Sequence, residues 1–205
     1  MALPLDIYLA RHGESTNNPL PASRHTPDPE LTLLGGRQAR VLAERLAGLP
    51  PALVLSSPLV RALATAAPLV AESRAAWHVW EDLAEAHRAH PRDGQDVARL
   101  RARFPAAAFT DTPHWPGFPG DETDRDVLAR GGRLAERLSG LTAGPVCVIG
   151  HQNLNAYLLC AWLGLAAAER VRFRQDNGAV HHLRLTAGGL ELVRLNDGTH
   201  LHALT

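Results

Sequence analysis

What most constrains this chain is a unit that recurs along it: a short apolar run, too brief for a helix, that stops at polar side chains and is followed by a helical stripe. Asp6 to Ala10 gives way to Arg11 and His12, Ala52 to Leu55 to Ser56 and Ser57, and Val146 to Ile149 to Gly150 and His151. A further candidate strand precedes Leu83-Ala84-Glu85. Such runs fit strands buried on both faces. Between them Ala39, Leu42, Ala43 and Leu46 recur at helical spacing, as do Val127, Leu128, Gly131, Leu134, Ala135 and Leu138. Strands alternating with helices imply an α/β fold, a three-layer sandwich in which a mostly parallel twisted sheet carries helices on both faces. Ligands of such sheets gather at the carboxyl ends of the strands, where these polar residues stand.

Local signals refine the outline. Thr32 is placed to cap the helix carrying Leu42 and Leu46. Ser57 as N-cap with Pro58 in the first turn starts a helix near Leu59, and Pro68 is expected to kink or end it. A charged helix over Val97 to Phe104 reads as peripheral. The Pro-rich stretch from Phe104 to Gly120, with Trp115 and Phe118, reads as a loop over the fold and a cap or active-site loop. Val180 to Leu185 and Leu190 to Leu195 flank Gly188-Gly189, the signal of a hairpin at a sheet edge. The 205 residues fit one domain, 1–205, with no linker composition inside it.

Composition excludes several classes. Formal net charge is zero, so neither nucleic acid nor an anionic membrane is indicated as a partner. No 18-residue apolar span and no signal-peptide pattern occurs, which makes a cytoplasmic location the default expectation. All 21 basic residues are arginine, so an anion site must use Arg, His or backbone amides. Cys147 and Cys160 fall in apolar segments and read as reduced packing residues. His181 and His182 are adjacent in a strand and point to opposite faces. His200 and His202 lack an accompanying Cys or carboxylate cluster. No metal or other cofactor is therefore expected.

Leu9-Ala10-Arg11-His12-Gly13-Glu14-Ser15 is followed by Leu31-Thr32, Gly35 and Gln38-Ala39, then Ser57-Pro58-Leu59, Arg61-Ala62 and Thr65-Ala66. Gly150-His151, Gly120-Asp121-Glu122-Thr123 and Asn196 to His200-Leu201 complete the set. Nearly the whole chain thereby resembles the histidine phosphatase superfamily, the phosphoglycerate mutase-like proteins. That family's closing strand matches Asn196 to Leu201, and its Leu-x-Glu segment maps onto Leu83-Ala84-Glu85. The resemblance implies a phosphatase in which Glu85 is the proton donor, with Glu81 and Asp82 as rivals. One departure stands out: the family commonly has glycine after its second histidine, and here Gln152 follows His151.

The residue types suit the chemistry. A phosphate monoester is a dianion whose cleavage spreads charge over three oxygens. Arg11 and Arg61 offer planar donor forks that match such oxygens in pairs. His151 adds a third donor, and Ser15, Asn18, Gln152 and Asn153 are candidate substrate-binding groups. His12 is then the nucleophile, a neutral imidazole that becomes phosphohistidine, with arginine charges holding its pKa down. The expected activity is metal-independent hydrolysis of small phosphomonoesters. The alternatives are a phosphoglycerate mutase and a non-catalytic phosphate-binding module. Arg24, His25, His87 and Arg88 are candidates for a substrate carboxylate. The leaving group is read by the loops 17–30 and 104–120.

Overall fold

A computed structural model describes residues 4–49, 51–86, 92–93, 96–110, 117–118, 121–166 and 173–204. The apolar runs form strands β1 (Leu5–Arg11), β2 (Leu53–Ser56) and β3 (Ala76–Val79). Two-residue strands β4 (Arg92–Asp93) and β5 (Gly117–Phe118) pair with each other away from the main sheet. Strands β6 (Val146–Gly150), β7 (Val180–Thr186) and β8 (Gly189–Asp197) complete a six-stranded sheet of order β3-β2-β6-β1-β7-β8. The pairs β3–β2, β2–β6 and β6–β1 are parallel, and β7 and β8 add an antiparallel edge. The expected mostly parallel α/β sheet and its edge hairpin are both present.

Alternation along the strands sorts the core into two layers. Tyr8, Ala10, Val54, Cys147 and Ile149 pack against Leu42 and Leu46 of α1 (Leu33–Ala47) and Leu63 and Leu69 of α2 (Val60–Ser73). Ile7, Leu9, Leu55, Val146 and Val148 face Val127, Leu134 and Leu138 of α4 (Asp124–Ser139) and Leu154 and Leu158 of α5 (Gln152–Trp162). The parallel strands β1, β2 and β6 are therefore apolar through their middles because successive side chains feed opposite helical layers. The short α3 (Val97–Arg103) is charged outward but buries Val97 and Leu100. Burial pushes the Cys147 thiol up to about 12, and Cys147 and Cys160 form no disulfide.

Several local expectations are corrected. Thr32 caps α1 by accepting the Gly35 N–H, as expected, but Ser57 does not cap α2. Its hydroxyl accepts the Leu59 N–H, and the Val60 N–H at the helix start is taken by Asp28. Helix α2 runs through Pro68 to Ser73, because burial of Ala66, Leu69 and Val70 outweighs one lost backbone bond. Residues 104–110 are not a loop over the surface: Phe104, Ala107 and Phe109 are buried, and Ala108 bridges to His78. Burying Phe109 contributes about 2–3 kcal/mol. Residues 111–116 and 119–120, with Trp115, lie outside the described residues. In α4 the stripe holds except that Leu128 is only partly covered, while Arg130 is buried in the same helix. The closing strand ends at Asp197, and His200 lies in a 3-10 helix over Thr199–Leu204.

Candidate active site

Register carries the strand-end residues together. Arg11 is the last residue of β1 and lies opposite Gly150 of β6, and the His12 N–H donates to the Gly150 carbonyl at 3.1 Å. On the other side of β6, the Ser57 N–H donates to the Ile149 carbonyl at 3.2 Å. The chain leaving β2 starts α2 there, so Arg61 reaches over the ends of β1 and β6 from the helix's first turn. His151, first residue after β6, is wholly buried, and its ring centroid is 5.0 Å from that of His12. Arg11, His12, Arg61 and His151 thus meet at the carboxyl ends of three adjacent parallel strands. The N-termini of α2 and α5 face the same point, where their backbone dipoles favour an anion.

The hydrogen bonds fix the state of His12. Its Nδ1 lies 2.6 Å from the Gly13 carbonyl, which only accepts, so Nδ1 carries the proton. Nε2 therefore holds the lone pair, and the Arg61 Nε–H donates to it at 3.3 Å. Burial, followed by the Arg61 and Arg11 charges, drives the imidazole pKa well below its ordinary value. His151 is depressed in the same direction, by burial first and then by Arg61. Neither of its ring nitrogens has a hydrogen-bond partner among the described residues. Arg11 donates from Nη1 to the Gln175 carbonyl at 2.8 Å, while its buried Nε has no partner among the described residues. A buried, neutral imidazole with its Nε2 lone pair beside two guanidiniums is an arrangement suited to phosphoryl chemistry.

The other candidate residues form an outer ring. Ser15 is buried and spends its hydroxyl on the Asn18 Oδ1, which also accepts the Ser15 N–H. That fixes the orientation of the exposed Asn18 amide, whose Oδ1 is committed as an acceptor. Gln152 and Asn153 are exposed in the first turn of α5. Glu85 does not directly follow β3; a 3-10 turn over Glu81–Leu83 intervenes. Its carboxylate accepts the backbone N–H groups of Leu154 at 3.0 Å and Asn153 at 3.4 Å, which puts it at the same helix end. Of its rivals, Glu81 is exposed, and Asp82 pairs with Arg133 of α4. Arg24 and His25 are exposed in the first loop, with His25 bonded to the Leu20 carbonyl. His87 and Arg88 lie outside the described residues. Among the described residues no group of His, Cys, Asp or Glu is arranged to hold a metal ion.

The model of the histidine phosphatase superfamily (branch 1) matches residues 7–198. This chain belongs to that superfamily. Among its histidine phosphatase relatives, phosphoserine phosphatase 1 of Hydrogenobacter thermophilus is 27% identical over 198 residues, covering 95% of this chain and 93% of the relative. The glucosyl-3-phosphoglycerate phosphatase of Mycolicibacterium vanbaalenii is 32% identical over 170 residues, covering 78% and 74%. The solved structure of a mycobacterial glucosyl-3-phosphoglycerate phosphatase superposes with a TM-score of 0.72 at 25% identity, covering 96% of this chain and 100% of that one.

Four features of this histidine phosphatase site escaped sequence reasoning because each is supplied from far along the chain. Asp28 reaches Arg61 and the α2 N-terminus from the first loop. Buried Gln175 donates to the Leu9 and Ala179 carbonyls and accepts from Asn155. Asn177 donates to the His12 carbonyl and to Asn18, and the Gly178 N–H is shared by the Arg11 and His12 carbonyls. Buried Arg130 holds the Asp82 and Ala84 carbonyls and a bidentate pair with Glu122, and so sets the strand-to-helix segment that presents Glu85. A close glycine contact underlies the first motif as well. A Cβ on Gly13 would lie 2.5 Å from the Gly35 carbonyl, and one on Gly35 would strike the Glu14 carbonyl.

Proposed function

We propose that this phosphatase hydrolyses small phosphomonoesters through a phosphohistidine on His12, without a metal ion. The observation that carries the reading is the locked tautomer: Nδ1–H is spent on Gly13, and Nε2 presents its lone pair between two arginines and a buried histidine. In the first half-reaction Nε2 attacks phosphorus, the P–O ester bond breaks, and the leaving alkoxide takes a proton from Glu85. The Arg61 Nε–H exchanges its bond to Nε2 for one to a phosphoryl oxygen. The positive charge that develops on the ring is met by the Gly13 carbonyl on Nδ1–H. Arg11, through its Nε, which has no partner among the described residues, and His151 donate to the equatorial oxygens. In the second half-reaction water loses a proton to Glu85 and attacks phosphorus, the P–N bond breaks, and inorganic phosphate leaves with the imidazole neutral again.

Asn18, Gln152 and Asn153 stand where the ester's leaving group enters. The named activities of the relatives point to small hydroxyl-bearing metabolites as leaving groups. The test is phosphate release in excess chelator from phosphoserine, 3-phosphoglycerate, mannitol 1-phosphate and related esters, by the wild type and by His12→Ala. Release by the wild type alone, with an acid-labile and base-stable phosphoryl label on the quenched protein, is the expected result. Turnover by His12→Ala overturns the reading. Exchange of phosphate between phosphoglycerates without net release assigns the mutase reaction instead, and tight ester binding with neither reaction assigns the binding module.

A further inference from the structure

Asp28 belongs to the first loop, yet its side chain is only 7% exposed. Both carboxylate oxygens accept the Val60 N–H, at 3.0 and 3.2 Å, and Oδ1 lies 3.6 Å from Nη1 of Arg61. Capping a helix needs only a neutral acceptor, and asparagine or serine performs it as well as aspartate. Burying a carboxylate is costly unless an opposite charge meets it. The charge that meets Asp28 in its burial is Arg61, whose Nε–H faces His12. The guanidinium is thus held between an anion on one side and the nucleophile's lone pair on the other.

We propose that Asp28 is a positioning residue for phosphoryl transfer, its carboxylate holding Arg61 with Nε–H on the His12 side before substrate arrives. The proposal rests on the phosphohistidine reading and adds a means by which the first loop acts on the pocket. The charged groups around Asp28 are Arg61 on α2, Glu30 on its own loop and Arg103 of α3. Burial, set against the Val60 N–H and Arg61, pushes its pKa up to about 6. The carboxylate is therefore charged above that value and loses its hold on Arg61 as pH falls through it.

Asp28→Asn keeps the cap and removes the charge, so a merely structural role predicts little change. The expected result is an activity about tenfold below wild type at pH 7.5, the effect of losing a bond to a charged group. Thermal stability should stay close to wild type, while Asp28→Ala lowers both. The wild-type to Asp28→Asn ratio of kcat/KM should shrink toward one between pH 7 and pH 5; substrate titration cancels in this ratio. Vanadate affinity should weaken in parallel, and adding Asp28→Asn to Arg61→Ala should have no further effect. A ratio of one at pH 7.5, a ratio independent of pH, or full additivity with Arg61→Ala overturns the proposal. His12→Ala separates the two readings. If it is inactive while Asp28→Asn matches wild type, the proposal alone fails; if it turns over, the phosphohistidine reading fails and the proposal goes with it.

Discussion

The inner and outer halves of the pocket are built by different means. The inner half is strand-end chemistry: His12, Arg61 and His151 are at most 6% exposed and are fixed by main-chain register between β1, β2 and β6. The outer half is loop and helix-end chemistry: Asn18, Gln152 and Asn153 are exposed, and Glu85 is half-buried. Inner residues are packed at the edge of the core, whereas outer ones stand in solvent and change at little cost to the fold. The difference teaches where to look for each property. On the reading proposed above, reaction type resides in the sheet, and choice of leaving group in what surrounds it.

Substitutions can break or sharpen that division. The largest effect is expected for His12→Ala, a loss of turnover of about 10⁴-fold or more with folding retained, measured by phosphate release and circular dichroism. Next comes Gly35→Ala, where the new methyl strikes the Glu14 carbonyl. A displaced backbone should cost about 3 kcal/mol in urea unfolding and lower activity as well, since His12 lies two residues before Glu14. Gln175→Ala removes donors to two buried carbonyls and the partner of Asn155, for about 2 kcal/mol by the same assay.

Acid follows. His12 and His151 are held neutral well below the ordinary histidine range, and burial brings His181 down to about 4. The unfolded chain binds protons at these sites from about pH 6.5 downward while the folded chain does not. Stability is therefore lost as pH falls from 6.5 toward 4, on the order of 1 kcal/mol per pH unit for each site. Urea midpoints across that range check the slope, and a flat profile would contradict the buried neutral state. The smallest effect is expected for Gln152→Gly: no change in fold, less than about tenfold in kcat/KM on the best ester, and a changed ranking across a substrate panel. A loss comparable to that of His12→Ala would move Gln152 into the inner half.

The same division governs how much was legible in the sequence. Strands such as Val146 to Ile149 announce themselves because each alternate side chain must be apolar, and Thr32 announces α1 because a cap is a local device. Arg11, His12, Arg61 and His151 were legible because each stands at a fixed offset from a strand end or helix start. Asp28 was not, since it caps a helix 32 positions away while Ser57, the nearer cap by sequence, turns inward to Leu59. Pro68 misled for a related reason: its local penalty is real, but the tertiary packing of Leu69 and Val70 decides the outcome. Nothing local marks Arg130 as buried, because two of its partners are the carbonyls of a segment 46 to 48 positions away.

The grip of residues 175–178 on the β1 end sets a timetable. The Leu9, Arg11 and His12 carbonyls and the Arg11 guanidinium are bonded to groups more than 160 positions later in the chain. Closing so long a loop is slow and is rewarded only when both ends are present. On the ribosome His12 is thus made more than 160 residues before the groups that seat it. The nascent chain carries His12 through all of that synthesis without the bonds that fix the end of β1.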